Sequence, residues 1–435
     1  MNKISISYSA PTERMRYGAD ILFGTCLGVE VEWVESVDLE NEGNHFYTIS
    51  ASTKSLKCPI HSLSFCDDHT TRSSGVMWVE WKGFKFPGEV LGVTDLMFDP
   101  LAAAFFCCSR WEELPSGGEI DTAMRDAHGR FRGVSSSAYR EGMLRTPIIE
   151  NLAMILAKEL GITPKRTPQD YEYQPTIDID IAFAYLGRSR VHNIAAGTRD
   201  FALLRWGRLC ERMNVLLNQA QDPYDSYDFF LNLHEKSNLT TKCFVHFADY
   251  KRPHDLGVSK SVLIPLIDKL SSRATVNWHP SYEAISHQGQ SFLSEKRMFE
   301  DVGNTSEIRT HFLRGQSSMW TAFQDASIQH DYSMGYADQP GFRAGLSRPF
   351  PAYDIEKNTP LELVIHPFAV MDSTLKSYLN LDSEQSLLLV AELSDAVREV
   401  GGVMMTVWHN TSVSNHGIWE GWQTLYEDVV RRCLP

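Results

Sequence analysis

The sequence predicts an α/β chain in which a smaller α+β segment precedes a closed barrel of parallel strands and crossover helices. Three observations predict it. From Pro175 onward, short β-branched stretches alternate with amphipathic helical ones, and that alternation means parallel strands joined by helices. Seven strands can be marked in that half, over 176–180, 242–247, 274–279, 307–312, 330–334, 362–366 and 403–409. No GxGxxG turn and no phosphate loop follows the first of them, which favours a barrel over a doubly wound nucleotide fold.

The first part reads differently. Val29–Trp33, His45–Ile49 and Val76–Glu80 alternate with one polar face, as half-buried strands do. A helical region follows over Thr94–Trp111, and its apolar run Leu101–Cys108 reads as a buried helix, too short to span a membrane. A Gly- and charge-rich passage runs from Pro115–Glu119 to Asp126–Phe131, and a helix from about Pro147 to Leu160. Gly161-Ile-Thr-Pro164 stops that helix, and a Pro-rich polar linker leads to Pro175. The domain boundary falls in that linker, giving domains 1–168 and 169–435. Between the later strands, helices are expected over Phe201–Leu217, Ser261–Ser271, Phe292–Asp301, Met319–Ala326, Leu375–Tyr378, Ser383–Val400 and Trp419–Arg432.

With 435 residues, 43% of them hydrophobic, the chain is long enough for two or three packed domains. A net charge of −14 argues against a nucleic-acid partner, which demands a basic footprint. The start, Met1-Asn-Lys-Ile-Ser-Ile-Ser7, lacks the apolar core of a signal peptide, and no apolar run is long enough to cross a bilayer, so a cytoplasmic location is expected. The eight cysteines show no disulfide framework and fit buried free thiols in a reducing compartment. Cys58-x-x-His61 and Cys66-x-x-His69, near Asp67 and Asp68, form a metal-like set. Its spacing is not that of a zinc module, and an irregular loop is the expectation.

The chemistry centres on Thr176-Ile-Asp-Ile-Asp180. Residues two apart on a strand share a face, so Asp178 and Asp180 project together. Adjacent carboxylates repel unless a cation or proton lies between them. In a barrel of this kind the active site lies at the C-terminal strand ends. Those ends carry His246 and Asp249, then Trp278-His279 with Tyr282 and Glu283, Arg309 with His311, His330 with Asp331, His366, and His409-Asn410. Single histidines at such places are ordinarily core or loop residues. Five or six on one rim are harder to explain by packing. Imidazole plus carboxylate is the ligand set of zinc and related divalent ions, and the means of activating water and protonating a leaving group. His246 and His366 are expected to be structural; His128, His287 and His416 are expected to be loop residues.

Nine phrases, collinear over residues 109–410, carry a resemblance: Ser109-Arg-Trp-Glu-Glu-Leu114, Asp126-Ala-His-Gly-Arg-Phe131, Thr176–Asp180, Trp278-His-Pro-Ser-Tyr282, Arg309-Thr-His-Phe-Leu-Arg314, Asp331-Tyr-Ser-Met-Gly-Tyr336, Gly341-Phe-Arg-Ala-Gly345, Val370-Met-Asp372 and Trp408-His-Asn410. In these the chain resembles the polysaccharide deacetylase-like proteins of the NodB-homology (carbohydrate esterase) class, in a bacterial subgroup with an added N-terminal domain. The resemblance implies a distorted (β/α)7 barrel of deacetylase type and a divalent metal, most often zinc. It implies Asp178 as general base and Asp180 as metal ligand, although the family's two Asp are adjacent and these are separated by Ile179. The family's second motif is His-x-x-x-His. His279 matches its first position but Glu283 occupies the second, so His311 is preferred as the remaining ligand. His409 matches the general acid, and Arg309 would keep the base ionised. Asp331 would orient His409 or another group across the pocket. Arg343, between Gly341 and Gly345, either binds an acidic sugar group or phosphate, or is held in an ion pair with Asp338 or Asp372. Trp278, Tyr282, Tyr332 and Tyr336 are candidate sugar-stacking surfaces.

The function implied is a metal-dependent hydrolase that deacetylates an N-acetylated sugar in surface-glycan assembly, acting on a nucleotide sugar or a lipid-linked or polymeric glycan, with biosynthetic partner proteins. Two alternatives stand beside it. One is a non-catalytic glycan-binding or scaffolding protein on a degenerate barrel. The other is a glycoside hydrolase using Asp178 and Asp331.

Overall fold

The computed structural model describes all residues except 1–2, 9, 36–45, 53, 62–76, 93, 115–120, 249–253 and 287–289. Cys66, Asp67, Asp68 and His69 of the metal-like set therefore lie outside the described residues, as do the Pro115–Glu119 passage, Asp249 and His287.

The first part builds a four-stranded sheet in the order β2-β1-β3-β4, from β1 (Lys3–Ser7), β2 (Glu30–Val34), β3 (Phe46–Ala51) and β4 (Lys54–Pro59). A two-stranded ribbon, β5 (Trp78–Trp81) with β6 (Phe84–Pro87), stands apart from it. In β1 the alternating Ile4 and Ile6 are fully buried, as an inward face requires. Every residue of the helix Pro100–Cys108 is buried, and Asp99 caps it by accepting from the Leu101 and Ala102 amides. The helix Ile148–Leu160 ends on Gly161 at φ 69, a left-handed cap that glycine adopts without strain.

The second part is one curled mixed sheet of nine strands, ordered β12-β13-β11-β10-β9-β8-β7-β15-β14. Its strands are β7 (Glu172–Ile179), β8 (Lys242–His246), β9 (Thr275–His279), β10 (Asn304–Ile308), β11 (His330–Met334), β12 (Phe350–Asp354), β13 (Thr359–Pro367), β14 (Val370–Met371) and β15 (Val403–His409). β7 lies inside the sheet, between β8 and β15, because Thr176, Ile177 and Ile179 are β-branched and buried on both faces, as an interior parallel strand demands. Its ends in the sheet, β12 and β14, do not pair with each other, so the ring expected from the sequence is not hydrogen-bonded from edge to edge. Instead the segment 359–371 bends. Its first part pairs with β11 and its last part with β15, with Phe368 N–H donating to Met334 O and Ala369 N–H to Met405 O at the bend.

Several expectations shift. β10 stops at Ile308, and His311–Leu313 form a short turn with Phe312 at φ 59. The helix expected over 201–217 is two helices, Arg190–Ala202 and Trp206–Leu216. A further helix, Tyr227–Lys236, precedes β8, and β12 adds an antiparallel edge on β13.

The two parts are tied by buried polar contacts. Arg343 donates to both oxygens of Glu113, at 2.9 and 2.6 Å, and Arg110 donates to Glu113 at 2.8 Å. Ser347 donates to Glu150, and the Tyr17 hydroxyl to the Pro351 carbonyl. All seven described cysteines are free. Among the described residues no helix is long and apolar enough to cross a membrane.

Candidate metal centre

Parallel register sets the site. His409 lies opposite Asp178 on β15 and β7, and His246 opposite His279 on β8 and β9. Partners in register point to the same face, so these side chains meet at one end of the sheet. Asp180, just past the end of β7, is the hub. Its Oδ1 lies 3.1 Å from His279 Nε2, and its Oδ2 lies 3.6 Å from His311 Nε2 and 3.4 Å from His409 Nε2. Asp180, His279 and His311 each offer one ligand atom, all within 4.8 Å of one another.

These residues fit a divalent ion. One carboxylate and two imidazoles are the donor set of a zinc site with an open position. Asp180 Oδ1 and His279 Nδ1 are also buried without a hydrogen bond, a costly state that a cation relieves at the carboxylate. Burial works against ionising Asp180, but His409 and His311 outweigh it and hold the carboxyl well below its usual range. His409 does not belong to the close set, although its Nε2 approaches the same Asp180 oxygen as His311.

Two supporting pairs flank the hub. On one side His409 Nδ1 meets Asp372 Oδ1 at 2.7 Å, and its backbone N–H donates to Asp372 Oδ2 at 2.8 Å. Burial would lower the His409 pKa, but Asp372 and then Asp180 outweigh it and raise it to about 10. On the other side Arg309 is fully buried and its Nη1 donates to Asp178 Oδ1 at 2.6 Å and to Thr176 Oγ1 at 2.9 Å. Its guanidinium also lies 4.4 Å from the Phe244 ring centroid.

Behind the hub sits an unexpected carboxylate. Asp255 Oδ1 meets His246 Nε2 and His311 Nδ1, each at 3.1 Å, and Asp255 also accepts the Tyr282 and Glu283 amides. Holding His311 at Nδ1 leaves its Nε2 turned to Asp180, the arrangement by which a carboxylate orients a ligating imidazole. Burial would lower the His311 pKa, but Asp180 and Asp255 outweigh it and raise it to about 9. His246 thus belongs to the shell around the site, where a plain core histidine was expected.

A cleft of about 340 Å³ opens on the cluster, lined by Asp178, Asp180, His279, His311 and His409 and walled by Arg130, Phe312, Tyr378 and Trp419. Arg130 comes from the first part of the chain. It pairs with Asp126 and donates to Phe312 O at 3.0 Å and to the Tyr378 hydroxyl at 2.7 Å, joining two rim loops.

Other candidates lie elsewhere. Arg343 is buried against Glu113, so of its two expected roles it takes the ion pair, with a partner other than Asp338 or Asp372. Trp278 is fully buried, packs on Phe292 and donates to Glu295 at 3.2 Å. Tyr336 is buried with its hydroxyl on Arg110. Neither ring faces the cleft. Tyr282 is half-buried, with His254 at 4.4 Å and the Arg314 guanidinium at 4.0 Å from its ring centroid. Tyr332 stacks on His366 at 4.1 Å, away from the cleft lining. Asp331 is buried and accepts the Ser333 amide, while Asp372 holds His409. Glu283 is not in the close set and lines a second cavity shared with Asp255. Asp255 was missed altogether, and Asp372 was named only within a matched phrase and as a possible partner of Arg343, not of His409. Asp372 follows a strand of two residues, and Asp255 lies in a loop with no periodic signal.

The site and fold thus define an α/β protein with a buried aspartate–histidine cluster at the mouth of a curled sheet. The model of a family of unknown function, DUF7033, matches residues 4–162. No curated protein matches the sequence. Among solved structures, a proposed polysaccharide deacetylase from Mycobacterium smegmatis is similar at 12% identity and a TM-score of 0.38, over 60% of this chain and 83% of that one. A proposed polysaccharide deacetylase involved in O-antigen biosynthesis, from Bordetella bronchiseptica, is similar at 14% identity and a TM-score of 0.32, over 60% and 84%. The 4-alpha-glucanotransferase of Thermococcus litoralis is similar at 13% and 0.32, over 60% of this chain and 36% of that one. At this level of superposition none of them assigns an activity to this chain.

Proposed function

We propose that this protein is a metal-dependent hydrolase that removes the acetyl group from an N-acetylated sugar. The observation that carries the reading is the gathering of Asp180, His279 and His311 within 4.8 Å, in a cleft that also holds Asp178 and His409. A divalent ion held by those three residues supplies Lewis acidity toward an amide carbonyl and lowers the pKa of water. Asp178 accepts the proton of the attacking water, and the buried Arg309 holds its carboxylate in place through a hydrogen bond to Oδ1. His409 delivers a proton to the leaving nitrogen. Asp372 holds its Nδ1, so the proton on Nε2 faces the cleft. Asp372 performs the orienting role that Asp331 was expected to fill.

The same reading includes a cytoplasmic setting, a nucleotide-linked, lipid-linked or polymeric glycan as substrate, and a first domain over residues 1–168 that completes the cleft through Arg130. The test is acetate release from N-acetylhexosamine substrates by protein loaded with zinc. Stoichiometric acetate and free amine, lost in His279→Ala and Asp178→Asn, are the expected result. Release of reducing ends without acetate would replace this reading with glycoside cleavage.

A further inference from the structure

Between β7 and β8 the chain inserts a helical hairpin whose outer face is left uncovered by the described residues. Its helices, Arg190–Ala202 and Trp206–Leu216, pack through Arg212, which pairs with Asp200 at 3.1 Å and donates to Asn193. The opposite face is apolar and open. Val191, Ile194 and Phe201 fall at helical spacing on the first helix, and Trp206, Met213 and Leu217 on and after the second. Val191 is 77% exposed and Ile194 70%, and Phe201, Trp206, Met213 and Leu217 are each more than half exposed. Phe201 and Trp206 meet edge to face at 5.1 Å and join the two rows at the turn. Rings and long aliphatic side chains this exposed are normally covered.

The charges around that face say by what. Residues 188–217 hold six arginines against two carboxylates, Asp200 and Glu211, a net charge of +4 in a chain of −14. Arg190, Arg199, Arg205 and Arg208 are exposed, while Asp200 is buried and Glu211 is turned to His416 at 2.9 Å. An apolar face with Trp and Phe, bordered by arginines, is what a helix lying in a bilayer interface presents. We propose that this hairpin docks the protein on an anionic lipid bilayer. A second copy of the chain would bring the exposed Arg190, Arg199 and Arg205 of each molecule together across a twofold axis, which like charge opposes. An anionic leaflet attracts them instead. Docked in this way, the hairpin lies on the membrane and does not cross it.

The placement has a consequence for the cleft. Glu211 holds His416, one residue before the turn Gly417–Trp419, and Trp419 and Thr411 line the cleft. The hairpin is thus joined through His416 to a segment that leads into the cleft lining.

The test is sedimentation of the full chain with vesicles of phosphatidylcholine alone and vesicles containing phosphatidylglycerol. Anionic vesicles should bind roughly tenfold more tightly, with the difference lost at high salt. Ile194→Ser/Phe201→Ser/Leu217→Ser should abolish binding, and Arg190→Gln/Arg199→Gln/Arg205→Gln should abolish the anionic preference. If the apolar variant fails a circular-dichroism melt, the arginine variant decides alone, since its changes are on exposed side chains. Equal binding to both vesicles, or none, overturns the proposal. So does a wild-type dimer that the apolar variant converts to monomer without any lipid binding. Vesicle binding is measured without substrate or metal, so it fails or holds separately from the hydrolytic reading.

Discussion

Replacing Asp255 with asparagine tests how the metal ligands are held. Asp255 is 1% exposed and accepts four hydrogen bonds, from His246, His311 and the Tyr282 and Glu283 amides. An amide in its place turns an NH₂ toward at least one of those donors, whichever way it is rotated. It also removes the charge that holds His311 with Nε2 facing Asp180. Loss of such a supporting partner weakens metal affinity by roughly 10- to 100-fold. At about 1.4 kcal/mol per decade, that is about 1.4 to 2.7 kcal/mol. A chelator-competition titration with zinc measures it, and near-ultraviolet circular dichroism confirms that the variant is folded. Affinity within about threefold of wild type, in a folded variant, would refute the idea that Asp255 orients a ligand.

Three further outcomes are expected. Arg309→Met leaves the Asp178 carboxylate buried without its cation, and should cost about 3–5 kcal/mol in denaturant unfolding; Arg309→Met/Asp178→Leu should recover most of it, and an additive double variant would contradict the pair. His409→Gln should lower acetate release by about 10²- to 10⁴-fold while zinc affinity stays close to wild type, since His409 stands outside the close ligand set; loss of zinc would make it a ligand instead. Burial favours the neutral form of Glu113, but Arg343 and Arg110 outweigh it and lower its pKa to about 2. A carboxylate depressed on folding adds stability above its unfolded pKa of about 4.5 and loses it as pH falls toward 2. On the order of 3 kcal/mol should vanish across that window, and Glu113→Gln should flatten the acid limb of the unfolding curve.

The interior strands were legible because parallel strands buried on both faces read as short runs rich in β-branched and apolar residues, and 176–180 and 403–409 both do. Asp178 and Asp180 were assigned to one face by the period of two, and His409 stands beside Asp178 as that face requires. The same period could have excluded Trp278. It is adjacent to His279, so it points to the opposite side, into the packed layer against Phe292. Tyr336 was misread, and the ion-pair partner of Arg343 was missed, because both residues follow strands in sequence but turn away from the cleft. Gly341, at φ 137, lets the backbone pass against Leu144, and Arg343 reaches Glu113 in the first part of the chain. Contacts of that range leave no local pattern. Nor does a single aspartate in a loop, which is why Asp255 was invisible. The hairpin 190–217 was partly legible: its second helix carried the amphipathic signal, but the exposure of its apolar face is a property of the fold alone.

Crystals grown with zinc, and anomalous diffraction recorded at the zinc edge, address the hydrolytic reading directly. The account predicts one strong peak about 2.0–2.2 Å from an Asp180 oxygen and from one imidazole nitrogen each of His279 and His311. A peak elsewhere, or a cluster closed by hydrogen bonds with no ion among those three side chains, would contradict it.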